Sequence, residues 1–174
     1  MQQDDLFSKP AEYTIDSCSL MAMFNDEPWT SKKTTPGLWE RVCALISEGV
    51  IISHAEVLAE IKKDGAKGEE LFNWANANAH IFKPHDARAE GAIIHAMSTK
   101  YKDFVNNYGK PNNVHADPWL IAQAKCNGLR IISQETPSGN PQKPKLPNVC
   151  ADTSLNVECL NLWALATEHK WVFR

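Results

Sequence analysis

Apolar residues in this chain fall into two periods, and each switch between them marks an element. Short runs rich in β-branched or aromatic side chains at Tyr13 to Ser17, Val50-Ile51-Ile52, Ile81-Phe82 (bounded by Pro84) and Leu129 to Ser133 predict strands. Between them apolar positions recur every three or four residues. Leu20, Met21, Met23 and Phe24 make Cys18 to Phe24 a short buried helix. Thr35-Pro36 opens the next, carried by Leu38, Trp39, Val42, Leu45 and Ile46 and stopped by Gly49. Ser53 with Glu56 three residues on has the spacing of a capping box, and the helix it starts presents Val57, Leu58 and Ile61 before a turn over residues 62–68. A further helix surrounds Leu71, Phe72 and Trp74, and another over residues 86–99 buries Ile93, Ile94 and Met97.

The remainder follows from breakers and caps. A polar loop holding Asn106, Asn107, Gly109, Pro111, Asn112 and Asn113 leads to Asp117-Pro118, which cap and start a helix with Leu120, Ile121 and Ala124 inside and Gly128 at its end. Pro137, Pro141, Pro144 and Pro147 make residues 136–148 a surface loop without regular structure. An edge strand follows at Val149 or at Val157 to Leu160. Strands thus alternate with helices, which predicts an α/β fold, a three-layer α/β/α sandwich on a mainly parallel sheet. Residues 1–174 read as one domain, with 1–12 a loose lead-in.

Composition narrows the function. At 174 residues with 43% hydrophobic content the chain can bury a core without disulfides or a structural zinc. Its net charge of −3 argues against binding nucleic acid through bulk charge, so any such contact is local. Five cysteines with no C-x-x-C pair suggest neither a disulfide framework nor a zinc site. The start Met1-Gln2-Gln3-Asp4-Asp5 is polar and acidic, and no apolar run reaches the roughly 20 residues of a membrane span, so a soluble, cytoplasmic protein is expected. The six histidines lack H-E-x-x-H spacing, which makes His54 and His115 helix-flanking or solvent residues and not metal ligands.

Four acids stand at strand ends or adjoining helix starts: Asp16, Glu60, Asp117 and Glu135. In an open parallel sheet those positions face one crevice, however far apart they are in sequence. Four carboxylates there repel one another and ionise together only beside a divalent cation. Oxygen ligands favour a hard metal, Mg²⁺ or Mn²⁺, and the implied chemistry is phosphodiester hydrolysis. Glu56 has a capping task toward Ser53, whereas Glu60, one turn further along the same face, has none. Asp117 combines the cap with a ligand role, and Glu135 reads equally as a loop acid before Pro137. Trp119 is core or groove wall, or an indole on which a base stacks, and Lys143 and Lys145 are loop cations available to RNA.

The segments YTIDSCSLM (13–21), IISHAEVLAEI (51–61), HADPWLIAQA (115–124) and RIISQE (130–135) together resemble the PIN domain, the nuclease fold of VapC-like toxins, and within it a bacterial PIN-like family of unknown function with a late LPNVC segment, here Leu146 to Cys150. The resemblance implies a metal-dependent endoribonuclease, the toxin of a toxin–antitoxin pair, with Asp16, Glu60, Asp117 and Glu135 as its catalytic and metal-binding residues. Its implied partners are single-stranded or structured RNA, a cognate antitoxin and a second copy in a homodimer. Two positions depart from the pattern: Glu135 stands where aspartate is usual, and Cys18 where Ser or Asn is common, which shifts a hydrogen bond to Ser17 or Ser19. A catalytically impaired PIN-like binding module is the alternative. A haloacid-dehalogenase-like phosphatase would need a second acid at position 18, where this chain has Cys18.

Overall fold

The computed structural model of the protein describes residues 9–25, 29–63, 69–110 and 115–173. Strands β1 (Tyr13–Ile15), β2 (Ile51–His54), β3 (Phe82–Lys83), β4 (Arg130–Ile132) and β5 (Cys159–Leu160) form one sheet in the order β3-β2-β1-β4-β5, every pair parallel. Tyr13 lies opposite Ile51 on one side and Arg130 on the other, and Ile15 ends level with Ile132. Among the described residues the helices are α1 (Ser17–Phe24), α2 (Pro36–Ser47), α3 (Ala55–Lys63), α4 (Glu69–Ala77), α5 (Ala89–Lys100), α6 (Lys102–Val105), α7 (Asp117–Asn127), α8 (Leu146–Cys150) and α9 (Leu162–Glu168). The architecture is the expected three-layer α/β/α sandwich.

The strands are short and apolar because both faces of the sheet are covered. Ile15, Ile51, Ile131 and Ile132 are fully buried, packed with Leu20 and Met23 of α1, Leu38 and Val42 of α2, and Leu120 and Ile121 of α7. A polar thread runs through this core. Thr14 donates to Gln123 Oε1 at 2.7 Å, Gln123 Nε2 donates to the Ser53 carbonyl at 3.3 Å, and Ser53 Oγ donates to the Ile15 carbonyl at 2.7 Å. Each of these three buried side chains is thereby satisfied, and α7 is fixed in register with β1 and β2. Gly128 ends α7 at φ 65°, the left-handed conformation that spares glycine the Cβ clash.

The chain runs from β1 outward to β2 and β3, then crosses back to β4 and β5 on the other side of β1. That reversal is the topological switch point, which opens a crevice at the carboxyl ends of β1 and β4.

Several local expectations differ. Ser53 belongs to β2 and spends its hydroxyl on Ile15, so the Ser53–Glu56 capping box does not form; the Glu56 N–H donates instead to His54 Nδ1 at 3.1 Å, which caps α3 with an imidazole. Asp117 is the first residue of α7 and not its cap: the N-cap position is Ala116, whose methyl group cannot accept a hydrogen bond, so no side chain caps that helix. The proline-rich segment is irregular only as far as Lys145: Leu146–Cys150 is helical, with Pro147 in the first turn where its missing N–H costs nothing. Val149 therefore lies in α8, and Val157 to Leu160 supplies the edge strand. Ile93 and Ile94 are only partly buried, while Met97 and, in the first turn of α5, Glu90 are buried. Residues 1–8 of the expected 1–12 lead-in, most of the turn at 62–68 and the loop around Pro111, Asn112 and Asn113 lie outside the described residues.

Candidate functional site

Asp16 follows β1 directly and caps α1. Its Oδ1 accepts from the Ser19 N–H at 2.6 Å, and the Ser133 hydroxyl also hydrogen-bonds it, while the Ser19 hydroxyl donates to the Ile132 carbonyl. Only 3% of Asp16 is exposed, so burial pushes its carboxyl up to about 6 despite those bonds, with the Glu135 charge adding to the rise. The Glu135 N–H donates to Ser133 Oγ at 3.1 Å, which links the two acids through one hydroxyl. Glu135 Oε2 in turn accepts from the Leu146 N–H at 3.3 Å, so the start of α8 holds it.

Glu60 projects from α3 toward the same place. Its Oε2 accepts from Ser17 Oγ at 2.6 Å and its Oε1 from the Ala116 N–H at 2.8 Å, tying the starts of α1 and α7 together. Asp117 stands at the centre. Burial lifts its carboxyl well above the usual carboxylate range, and the charges of Glu135, Asp16 and Glu60 lift it further. The structure thus brings all four acids into one electrostatic neighbourhood at the switch point. Glu56 is not part of it: its Oε1 pairs with His85 Nε2 at 2.9 Å. Lys145 makes its positive charge felt at Cys18.

Cys18 faces the acids. Burial and the charges of Asp16, Glu135 and Asp117 push its thiol up to about 12, so it remains protonated and uncharged, unsuited to nucleophilic attack. Of its two neighbours, Ser17 gives its hydroxyl to an acid, Glu60, whereas the Ser19 hydroxyl donates to the Ile132 carbonyl at 3.2 Å and only the Ser19 backbone N–H reaches Asp16.

Among the described residues, the one group of His, Cys, Asp and Glu side chains whose ligand atoms all come within 4.8 Å of one another is elsewhere: His54, His85 and Glu90. No three of the four acids form such a group. Sequence reasoning missed the histidine cluster because its members come from β2, the loop after β3, and α5. His54 is fully buried and stacks on Trp119 at 5.9 Å, while His85 meets the Trp119 ring edge-on at 4.4 Å. The His54 tautomer decides what the cluster can do. Nδ1 accepts from the Glu56 N–H, so the proton sits on Nε2, which donates to Glu90 Oε2 at 3.2 Å. Both ring nitrogens are spent, and a metal would have to displace the cap of α3 or the Glu90 contact. The group is a clamp joining α3, α5 and α7, and the Trp119 ring is part of it.

The oxygen-only donor set at the switch point fits a hard divalent cation. The buried carboxyl of Asp16 and the half-buried one of Asp117 are held above their ordinary range by desolvation and by the neighbouring acids, and a dication would relieve that strain by favouring their ionised forms.

An all-parallel α/β sandwich with acids converging at its switch point defines the class of this protein. Within that class, the family model described as a domain of unknown function, DUF4411, matches residues 13–173, and the chain belongs to that family. No PIN-domain family model matches. No curated protein and no solved structure matches the chain.

Proposed function

We propose that this protein is a metal-dependent endoribonuclease of PIN-like type, acting as the toxin of a toxin–antitoxin pair. The observation that carries the nuclease reading is the electrostatic convergence of Asp16, Glu60 and Glu135 on Asp117 at the crevice between β1 and β4. Bound Mg²⁺ or Mn²⁺ would supply an activated water and charge neutralisation at a scissile phosphodiester. Asp16 and Asp117 would hold the ion, with Glu60 and Glu135 orienting its waters, since hydrogen bonds to Ser17, Ala116 and Leu146 already fix those two carboxylates. Their fixed positions fit pre-organisation, in which the chain spends folding energy to place groups before substrate arrives. Lys145 offers a cation to the phosphate.

The test is cleavage of a mixed single-stranded RNA pool with Mg²⁺ or Mn²⁺, against the same pool in EDTA and against Asp16→Asn. Metal-dependent cleavage lost in the variant supports the proposal. One observation favours the second reading, a PIN-like module without catalysis: Glu60 has both oxygens engaged in holding helix starts together, a sufficient structural role. RNA binding with no cleavage under any divalent cation would decide for it.

A further inference from the structure

A groove of about 630 Å³ runs beside the acids, lined by Cys18, Met21, Trp29, Thr30, Gln134 and Trp163 among others. Its lining includes chain neighbours of two of the acids, since Ser17 and Cys18 follow Asp16 and Gln134 precedes Glu135. Trp29 is 74% exposed and Trp163 is 38% exposed, two of the three large apolar side chains left open to solvent among the described residues. Trp163 is held edge-on against Phe173 at 5.8 Å, which fixes its plane.

We propose that this groove binds an unpaired base of a single-stranded RNA, next to the phosphodiester that the acids face. The inference rests on the nuclease reading for its substrate class and on the groove for its content. Among the described residues, none that lines the groove is an acid, a lysine, an arginine or a histidine, so the groove suits a neutral aromatic ring better than a phosphate. Base stacking on indoles is sequence-tolerant and strong. Polar groups at the rim provide for a base edge. Gln134 Oε1 accepts from the Leu162 N–H at 3.0 Å, so what Gln134 offers is its amide NH₂ donor. The hydroxyl of Thr30 donates to the Ala22 carbonyl at 3.3 Å, so its oxygen is an acceptor for a base N–H. A duplex keeps its bases stacked and has none to give.

The experiment measures fluorescence anisotropy of a labelled uridine decamer on full-length protein carrying Asp16→Asn to prevent turnover, alone and combined with Trp29→Ala, Trp163→Ala or Trp163→Phe. The alanine changes should weaken binding at least fivefold, the phenylalanine change less, and none should alter binding of a decamer with its bases removed. Unchanged affinity in both alanine variants, equal loss for the base-free decamer, or tighter binding of a duplex would overturn the proposal. So would a Trp29-dependent self-association, which makes the groove a protein interface. Cleavage by otherwise wild-type protein is read separately: tryptophan-dependent binding without cleavage sinks the nuclease reading and leaves the groove standing, and cleavage with tryptophan-independent binding does the reverse.

Discussion

Replacing Asp16 by asparagine should stabilise the metal-free protein, a direction opposite to that expected for removing a buried hydrogen-bonded group. Asparagine keeps the volume and the Oδ1 that caps α1 through the Ser19 N–H, and its NH₂ can donate to Ser133 Oγ. What it removes is a buried charge. The Asp16 carboxyl is displaced from 3.8 to about 6, roughly two pH units at about 1.4 kcal/mol each, so ionising it costs the fold about 3 kcal/mol. Because the folded value is raised, the native state binds the proton more tightly than the unfolded chain. The acid costs nothing below pH 3.8, its cost grows as pH rises to about 6, and it is complete above that. In EDTA, the stability difference between Asp16→Asn and wild type should thus be near zero around pH 4 and approach about 3 kcal/mol at pH 8, or roughly 6–12 °C in Tm. Saturating Mn²⁺ should then raise wild type by about 2.7 kcal/mol at a hundredfold excess over Kd, and the variant by far less. Urea unfolding at pH 4, 6 and 8, with and without metal, reads all of this. A difference that stays flat with pH, or a variant that gains as much from Mn²⁺ as wild type, would refute the reasoning.

Four further outcomes are expected. Glu60→Gln should abolish metal-dependent hydrolysis while Glu56→Gln leaves most of it, because Glu56 faces His85; equal losses in a single-turnover assay would reverse that assignment. Apparent Mn²⁺ affinity, followed by calorimetry, should tighten as pH rises through about 6, where Asp16 gives up its proton, and the dependence should flatten in Asp16→Asn. His54→Ala should cost about 2–4 kcal/mol in urea, from a lost cap and a buried Glu90 left without its donor, whereas His54→Asn should recover the cap share, and Zn²⁺ should stabilise neither wild type nor variants through this cluster. Induced alone in a bacterial cytosol, wild type should arrest growth and Asp16→Asn should not; equal arrest by both would remove the toxin reading.

The sheet was readable in the sequence because its signals are local. Val50-Ile51-Ile52 and Leu129 to Ser133 are β-branched runs of strand length, and Gly128 marks the end of α7 by the conformation only glycine takes cheaply. The errors arose where one pattern serves two structures. Ser53-x-x-Glu56 has capping-box spacing, yet a serine at the end of a central strand can also turn inward, and here the Ile15 carbonyl claimed it. Prolines hid α8, since Pro147 reads as a loop residue unless the first turn is already known. Asp16, Glu60, Asp117 and Glu135 could be proposed as neighbours from their places relative to strands. What each carboxylate actually holds could not, because the Ser17 hydroxyl, the Ala116 N–H and the Leu146 N–H are partners supplied only by the folded chain.

The switch-point topology also sets when the crevice can exist during synthesis. Its acids come from four separate stretches, and the last, Glu135, is held by the Leu146 N–H beyond it, while β4 gains its outer neighbour only with Cys159 and Leu160. A nascent chain that has emerged only as far as β3 carries Asp16 and Glu60 on an unfinished sheet with the central strand open along one edge. Whatever these carboxylates do, they can do it only after nearly the whole chain has left the ribosome, so a truncated product ending anywhere before β4 lacks the crevice altogether.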